Sequence, residues 1–281
     1  MSAGVGGIID AHLHFVPGNP YFTQIALEAD HENTEKHLQE EYKRLGIAHG
    51  VVMGNRTLAL EDHVYPEFLS YCIGLDSSVM IEELAAEKGN PGGLTRATDL
   101  VEQHLKRKNC VGIKLYPGYN SVYVTDPMYE SFYDLAKAYK KPVAIHTGET
   151  AGPHALLRFS HPLTVDEAAM RHPEVQFVMC HFGNPWLNDA AAVMSKNPNV
   201  AADLSGLLEG RVNTEKFFSE QTGYVELLRT WLQYVNYRDI MFGTDWPLAN
   251  LEDYIKFTMK LIPEKLYADI FSRNARRIYG L

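Results

Sequence analysis

The residues of this chain best suited to chemistry are two histidines, His12 and His14, with a single residue between them. They follow the apolar run Gly7-Ile8-Ile9, which is typical of a buried β-strand. Successive side chains of a strand point to opposite faces, so residues at positions i and i+2 project the same way. The spacing therefore predicts that the two imidazoles can bind one metal ion.

Two later residues extend this pair to a full ligand set. His146 ends the apolar run Val143-Ala144-Ile145, and Asp245 lies in the segment Gly243-Thr244-Asp245-Trp246-Pro247. Zinc and similar ions bind imidazole nitrogen and carboxylate oxygen, and a catalytic site leaves a position open for water or substrate. Such an ion lowers the pKa of its water and polarises a carbonyl. We expect one divalent ion, zinc or manganese, with Asp245 also accepting a proton; the predicted ligands are His12, His14, His146 and Asp245.

These residues must be positioned by short apolar runs that alternate with helical patterns. The predicted strands are Ile8 to Phe15, His49 to Asn55, Ser70 to Asp76, Gly112 to Gly118, Pro142 to Gly148, Val175 to Gly183, Asn199 to Gly206, and Asp239 to Pro247. The clearest predicted helices are Asn33 to Leu45, Leu94 to Lys108, Pro127 to Tyr139, Thr164 to Arg171, Leu187 to Lys196, and Gly223 to Val235. This alternation is used by doubly wound open sheets and by α/β barrels, and eight strands favour a (β/α)8 TIM barrel.

In such a barrel the carboxyl ends of the strands converge on one mouth, where the chemistry takes place. Polar residues stand at six of the predicted strand ends, namely His12 and His14, Lys114 and Tyr116, His146, His181, Asp203 and Ser205, and Asp245. The sequence therefore predicts one site that draws its side chains from several strands.

Composition limits the classes of partner. The chain has 281 residues, 46% hydrophobic and 22% charged, which predicts one TIM-barrel domain over residues 1–281. A formal charge of −9, with no basic run longer than Lys106-Arg107-Lys108, argues against nucleic acid and anionic membranes as partners. We therefore expect a small-molecule substrate; a homodimer stays open.

Two further features concern the cellular compartment. The first residues lack a basic segment followed by a long apolar one, so we expect a cytoplasmic protein. The three cysteines, Cys72, Cys110 and Cys180, form no CxxC pair, which indicates neither a disulfide framework nor a thiolate zinc site.

The strand-end motifs also resemble a known family. The segments that carry the likeness are Asp10-Ala11-His12-Leu13-His14, His146-Thr147-Gly148, Cys180-His181-Phe182-Gly183 and Phe242-Gly243-Thr244-Asp245-Trp246-Pro247. Together they resemble the amidohydrolase superfamily, and within it the amidohydrolase-related (amidohydrolase 2) group that includes the aminocarboxymuconate-semialdehyde decarboxylase-like enzymes. The ending from Arg273 to Leu281 is similar to that group's terminal helix. The resemblance runs from the first strand to the last residue and implies a metal-dependent TIM-barrel enzyme.

The resemblance also implies roles for individual residues. His12, His14, His146 and Asp245 would be the metal ligands, and Asp245 would shuttle a proton. His181 would be either a ligand of a second metal or a catalytic group that faces the substrate. Asp10 is expected on the same strand face as the two first histidines, where it would orient one of the imidazoles.

Lys114 has two readings. In binuclear members of the superfamily a carboxylated lysine on the fourth strand bridges two metals, and Gly112-Ile113-Lys114-Leu115-Tyr116-Pro117 looks like the dihydroorotase version of that strand. Alternatively, Lys114 binds a substrate carboxylate or pairs with a nearby acid. An ammonium group is repelled by a divalent ion and a carbamate is attracted, so the metal count and the state of Lys114 change together. We expect a single ion.

Three residues near the predicted strand ends are candidates for substrate binding. Tyr116 and Arg158 lie in or next to loops at the barrel mouth, where Arg158 suits a bidentate contact with a carboxylate. The alternative is a solvated arginine. Trp246 could line the pocket, although aromatic residues also pack cores.

The leading hypothesis is a metal-dependent hydrolase of a small ester, lactone or amide, with Asp245 as general base and then acid. The alternative is a non-oxidative decarboxylase of a small aromatic or unsaturated carboxylic acid, which would use the same ligands. A third class, a non-catalytic protein with a relic metal site, would be expected to have lost a ligand, and the sequence keeps all of them.

Overall fold

In the computed structural model, which describes residues 7–75 and 92–281, eight parallel strands of the described chain form one sheet in sequence order. The strands are β1 (Ile8–Leu13), β2 (Ile47–Met53), β3 (Leu69–Leu75), β4 (Cys110–Leu115), β5 (Val143–Ile145), β6 (Phe177–Met179), β7 (Val200–Asp203) and β8 (Ile240–Met241). The predicted third strand ended at Asp76, which lies outside the described residues.

The two ends of the sheet meet where β8 returns to β1. The Ala11 N–H donates to the Phe242 carbonyl at 2.9 Å, and the His14 N–H donates to the Trp246 carbonyl at 2.7 Å. Leu13 and Trp246 also form a parallel bridge. The sheet is therefore a nearly closed barrel, which confirms the predicted (β/α)8 TIM barrel and excludes the open sheet.

The helices lie between the strands along the chain. They are α1 (Pro20–Glu28), α2 (Glu35–Leu45), α3 (Gly92–Leu105), α4 (Glu130–Tyr139), α5 (Leu157–Ser160), α6 (Leu163–Arg171), α7 (Leu187–Lys196), α8 (Thr214–Glu220), α9 (Thr222–Tyr234), α10 (Leu251–Leu261) and α11 (Asn274–Tyr279). The predicted helices correspond to α2, α3, α4, α6, α7 and α9, and α11 lies within the ending likened to the family's terminal helix. Helices α1, α5, α8 and α10 were not predicted. Among the described residues, no helix has the length and apolar character needed to cross a bilayer.

Apolar side chains fill the interior of the barrel. Ile9 and Ala11 from β1 pack there with apolar residues from the other strands, and all of them are buried. Ala275, Ile278 and Tyr279 of α11 join this inner cluster. Helix α11 therefore plugs the barrel at the end opposite the strand-end residues, and the mouth is left for the site.

Strand β1 contains a bulge at Ala11 and His12. Asp10 pairs with Gly50 and Leu13 pairs with Val52, so two residues of β1 stand opposite one residue of β2. A bulge of this kind interrupts the alternation of faces. Ala11 points into the barrel, and Asp10 faces the helix layer, where its carboxylate accepts from the Tyr42 hydroxyl of α2 at 3.0 Å. Because of the bulge, His12 does not return to the face of Asp10.

Candidate active site

Three of the predicted ligands meet at the seam between β1 and β8. The Nε2 atoms of His12 and His14 each lie 3.3 Å from Oδ1 of Asp245. One donor atom from each residue falls within 4.8 Å of the others, and His12 and Asp245 are buried. We call His12, His14 and Asp245 the seam cluster.

The seam cluster contains polar atoms that the protein leaves unsatisfied. Nε2 of His12, Nδ1 of His14 and Oδ1 of Asp245 are buried and have no hydrogen-bond partner within the part of the chain that the structure describes. Such atoms are rare in folded proteins because desolvation without a partner is costly. Since imidazole nitrogen and carboxylate oxygen are the donors that zinc prefers, these residues fit a divalent metal ion.

Backbone geometry aims the Asp245 carboxylate. Its φ of +58° is uncommon for a residue other than glycine, and its N–H donates to the His12 carbonyl at 2.8 Å. Burial, the largest effect, raises the pKa of Asp245, but the neighbouring His12 and His14 outweigh it and hold this pKa well below its ordinary range. Asp245 is therefore an ionised carboxylate at the seam.

Asp203, at the end of β7, orients the His12 ring. Nδ1 of His12 donates to Oδ2 of Asp203 at 2.9 Å, which leaves Nε2 facing Asp245. Burial lowers the pKa of His12, yet the Asp203 carboxylate outweighs burial and raises this pKa well above its ordinary value. A metal ion would replace the proton on Nε2.

The role expected for Asp10 is therefore wrong, because the bulge in β1 turns its side chain away from the imidazoles. Its carboxylate accepts from the Thr244 hydroxyl at 2.6 Å and from Tyr42, and so ties β1 to β8 and to α2. Burial raises the pKa of Asp10 to about 6, although these hydrogen bonds act in the opposite direction. The sequence signal for Asp203 was its place at a strand end together with Ser205, two residues on.

His146 and His181 lie in a separate set of contacts. Nδ1 of His146 is 3.1 Å from Nε2 of His181, and Nδ1 of His181 is 2.9 Å from Oγ of Ser205. The Ser205 hydroxyl donates to Oδ1 of Asp203 at 2.5 Å. We call His146, His181, Ser205 and Asp203 the histidine chain. It touches the seam cluster through His12 and, more loosely, through a 3.9 Å approach of His181 Nδ1 to Asp245 Oδ2.

The structure does not bring His146 into the seam cluster. Its Nε2 lies 3.1 Å from the Glu149 carbonyl. Two groups of donor atoms within 4.8 Å are found among the described residues, the seam cluster and a second group of His12, His181 and Asp203, and neither contains His146. His146 still borders the same cavity. Its assignment as a ligand therefore remains a prediction.

The position of His181 depends on two backbone features. His181 has a φ of +62°, in a short turn from Cys180 to Gly183, and its N–H donates to Oδ1 of Asp203 at 3.0 Å. Gly206 approaches the ring so closely that a Cβ there would lie 2.5 Å from Nδ1 of His181. A residue with a side chain at position 206 would therefore displace the imidazole.

Lys114 is buried at the cavity and meets a cysteine. Its Nζ lies 2.7 Å from Sγ of Cys180 and 5.1 Å from the centre of the Tyr116 ring. The Tyr116 hydroxyl donates to the Gly54 carbonyl at 2.8 Å. Both Lys114 and Tyr116 line the cavity, so each can still contact a bound molecule.

Two cavities lie over the seam cluster and the histidine chain. One has a volume of about 240 Å³ and the other about 350 Å³, and they share walls at Tyr119, His146, His181 and Asp245. Combined, they are in the size range of small-molecule sites. Tyr21 and Phe22 of helix α1 line the first cavity. The sequence signal for this helix was Asn19-Pro20, because the Asn19 side chain caps its start and proline follows.

Two predicted contacts lie away from these cavities. Trp246 is completely buried, with its ring 6.4 Å from that of Phe15, because it follows Asp245 and points to the opposite side. Arg158 is exposed on α5, and its guanidinium carbon lies 4.7 Å from the centre of the Phe159 ring. Neither residue is among those that line either cavity.

Comparison with known proteins identifies the family. The amidohydrolase family model matches residues 9–281. The chain belongs to the amidohydrolase family. This membership makes it an enzyme of the amidohydrolase group, as the strand-end motifs implied. No curated protein sequence matches the chain.

Solved structures share the barrel with this amidohydrolase-family protein at low sequence identity. A 2,6-dihydroxybenzoate decarboxylase from Rhizobium is 16% identical, with 98% of each chain covered and a TM-score of 0.65. A probable 2-pyrone-4,6-dicarboxylic acid hydrolase from Acinetobacter baumannii is 16% identical, with 98% of this chain and 100% of the other covered and a TM-score of 0.62. A zinc-bound amidohydrolase from Burkholderia multivorans is 15% identical, with 98% and 100% covered and a TM-score of 0.61. At such identities the likeness shows the fold alone.

Proposed function

We propose that this amidohydrolase-family protein is a metal-dependent hydrolase of a small ester, lactone or amide. The observation that carries the proposal is the seam cluster, where unpartnered Nε2 of His12 and Oδ1 of Asp245 face each other beside a cavity. A bound divalent ion, zinc by the choice of donors, would polarise a substrate carbonyl and lower the pKa of water. The likeness to a zinc-bound amidohydrolase is consistent with this choice.

Asp245 performs the proton transfers in this proposal. Its Oδ1 faces the two imidazoles, and its Oδ2 is turned toward His181. Because Asp245 is ionised, it can accept a proton from the attacking water as the new carbon–oxygen bond forms. It then returns that proton to the leaving alkoxide or amine as the scissile bond breaks.

Two other groups bind and orient the substrate. His181 lies between Asp245 and His146 and can contact the reacting end of the substrate. Lys114 places a positive charge on the cavity wall, where it can hold a carboxylate or another anionic oxygen of the substrate. Phe22 and Tyr119 supply aromatic surface for the remainder.

The second candidate function is non-oxidative decarboxylation, which Lys114 and the aromatic walls of the cavity favour. That reaction needs an acid that protonates the substrate carbon as carbon dioxide leaves. Hydrolysis instead needs a base at the start, and Asp245, beside the two imidazoles of the seam cluster, is placed for that role. We therefore propose hydrolysis first and decarboxylation second.

A weakly buffered indicator assay distinguishes the two reactions by the sign of the proton change. Hydrolysis of a lactone or ester releases a proton, and decarboxylation of a carboxylate takes one up. The zinc-loaded protein is presented with a panel of lactones, esters and aromatic carboxylates, and carbon dioxide is measured in parallel. Amides are followed separately by the amine that they release, because their hydrolysis near neutral pH gives a carboxylate and an ammonium ion with no net proton change. We expect proton release from a lactone or ester. Proton uptake with carbon dioxide release would establish the second function instead.

Elemental analysis tests the metal independently of any substrate. After expression with zinc we expect about one equivalent per chain, and a His14→Ala variant should retain far less. Less than about half an equivalent in the parent protein would contradict the metal site. Two equivalents would instead indicate the binuclear arrangement with a carboxylated Lys114.

A further inference from the structure

Lys114 and Cys180 form a close pair inside the barrel. Nζ of Lys114 lies 2.7 Å from Sγ of Cys180, and this sulfur is the only hydrogen-bond partner of the amine among the described residues. By comparison, the hydrogen bond from Sγ of Cys110 to the Gly112 carbonyl is 3.6 Å long. The lysine and the cysteine are therefore closer to each other than a hydrogen bond to sulfur requires.

Strand register brings the pair together. Lys114 of β4 is aligned with Ala144 of β5, which is aligned in turn with Val178 of β6. Cys180 lies two residues beyond Val178, and both belong to the inner cluster of the barrel. Because Ala144 carries only a methyl group, the lysine side chain has room to cross β5 and reach the sulfur. The contact is thus built into the sheet.

The separation indicates which covalent link fits between the two side chains. A direct nitrogen–sulfur bond is much shorter than 2.7 Å, so it would pull Lys114 or Cys180 out of place. One oxygen atom bonded to both nitrogen and sulfur spans this distance while both side chains keep their positions. Such a link would also remove a buried amine whose only partner is a sulfur, and burying a polar group with a weak partner is costly.

We propose that Lys114 and Cys180 are a modification site at which hydrogen peroxide installs a nitrogen–oxygen–sulfur bridge. The thiol sulfur attacks one peroxide: a sulfur–oxygen bond forms, the oxygen–oxygen bond breaks, and water leaves a sulfenic acid behind. A second peroxide oxidises the amine to a hydroxylamine, with loss of a second water. The hydroxylamine oxygen then bonds to the sulfur, and the sulfenic hydroxyl leaves as a third water. Sulfur and nitrogen each lose two electrons, and the two peroxides gain four.

The pair can be reached from the barrel mouth. Lys114 lines the cavity of about 240 Å³, and Cys180, although buried, is in contact with its amine. The effect on activity rests on the proposed function, because the bridge ties up the amine that would hold an anionic oxygen of the substrate. Bridge formation itself needs neither metal nor substrate, so the two proposals fail separately.

Peptide mass spectrometry of metal-free protein treated with hydrogen peroxide tests the bridge. After alkylation and trypsin digestion we expect peptides 109–137 and 172–196 to be joined, with the added mass of one oxygen minus two hydrogens, because the bridge blocks cleavage after Lys114. Two molecules of dithiothreitol supply the four electrons that regenerate the amine, the thiol and water. Reduction before alkylation should therefore restore cleavage after Lys114 and a free Cys180 thiol.

Cys180→Ser removes the sulfur, and the matched control Cys72→Ser removes another buried cysteine of the inner cluster. After peroxide treatment, kcat/KM of the zinc-loaded protein for a carboxylate-bearing ester should fall about tenfold in the parent and in Cys72→Ser, and recover with dithiothreitol. Cys180→Ser should keep its value, and an equal loss in this variant would overturn the assigned effect on activity.

The parent protein alone decides whether the bridge forms, whether or not either variant folds. Normal cleavage after Lys114, with Cys180 alkylated or oxidised to its sulfinic or sulfonic acid, would overturn the proposal. So would a joined pair of peptides that lacks two hydrogens and has gained no oxygen, because that mass is the mass of a direct nitrogen–sulfur bond.

Discussion

The seam cluster and the histidine chain, on two sides of the barrel mouth, differ in the hydrogen bonding of their polar atoms. At the seam cluster, buried nitrogen and oxygen atoms of His12, His14 and Asp245 have no hydrogen-bond partner among the described residues. Across the mouth, His146, His181 and Ser205 form an unbroken row of contacts that ends on Asp203. Both walls are buried and rich in histidine, so residue type alone does not distinguish them.

The difference separates two uses of buried histidine. Unpartnered atoms cost free energy on folding, and a protein retains them where a ligand later supplies the missing contacts. A continuous row of contacts instead holds side chains in fixed positions. We infer that the seam cluster receives the ion and that the histidine chain sets the geometry around it.

Substitution at the seam should give the largest effect. Asp245→Asn keeps the shape and suits the positive φ, but it removes the base and a predicted ligand. We expect kcat for the hydrolysed substrate to fall about 10³-fold. The measurement is steady-state kinetics with zinc-loaded protein.

The control for that variant is Asp10→Asn, at the same seam but on the other face of β1. It loses hydrogen bonds from Thr244 and Tyr42, so it should lower the unfolding temperature while kcat of the folded protein stays near the parent value. Equal turnover by Asp245→Asn and the parent protein would show that Asp245 is not the proton shuttle.

Substitution in the histidine chain should give a smaller and different effect. Both ring nitrogens of His181 already have contacts, with Ser205 and with His146, so we expect a role toward substrate rather than a second metal. His181→Asn, which tolerates the positive φ, should lower kcat about 10²-fold and leave the zinc content at one equivalent. Loss of zinc from this variant would place His181 among the metal ligands. The seam cluster and the histidine chain would then not have different roles.

The sequence predicts the features that follow from the periodicity of whole strands, but it does not predict a change made by a single inserted residue. The apolar runs and the polar residues at their ends predict the barrel. The positions of His12, His14 and Asp245 at strand ends predict that these three side chains converge. Both predictions follow from the periodicity of strands. The bulge in β1 is invisible to that periodicity, since one extra residue changes faces without changing composition. The role given to Asp10 failed for this reason, and Asp203 took its place.

Long-range contacts account for the other differences. Helix α1 was not predicted, although Asn19 and Pro20 mark its start, because its aromatic residues Tyr21 and Phe22 line the cavity and do not form a stripe on the barrel exterior. Trp246 was considered for the pocket, but the turn at Asp245 directs its ring to Phe15 in the core. Which side of a loop faces the cavity is set by tertiary packing, which no local pattern records.

His104, which lines neither cavity, shows what burial does to the pKa of a histidine outside the site. His104 is buried, with Nδ1 2.8 Å from the Tyr71 hydroxyl and Nε2 3.0 Å from the Leu58 carbonyl. Burial lowers its pKa from 6.5 to about 4, so between these values the unfolded chain binds a proton that the folded protein does not. Its contribution to stability is therefore complete above pH 6.5 and is lost as the pH falls toward 4.

We expect this loss to be about 2 kcal/mol between pH 7 and pH 5, from the size of the pKa shift. The measurement is urea unfolding at both pH values with a chelator present, for the parent protein and for His104→Gln. The parent should lose more stability than the variant by about that amount. Equal losses would mean that His104 titrates normally and that burial does not hold it neutral.

The substitution with the smallest expected effect, Arg158→Ala, tests how far the substrate site extends. Arg158 is exposed and does not line either cavity, whereas Lys114 is buried on the cavity wall. Arg158→Ala should therefore change KM for an anionic substrate by less than about twofold, as for an ordinary surface substitution. Lys114→Met should raise the same KM at least about tenfold, because it removes the charged contact. A large rise in KM for Arg158→Ala would mean that α5 moves over the mouth when substrate binds, and that the histidine chain forms one side of a wider site.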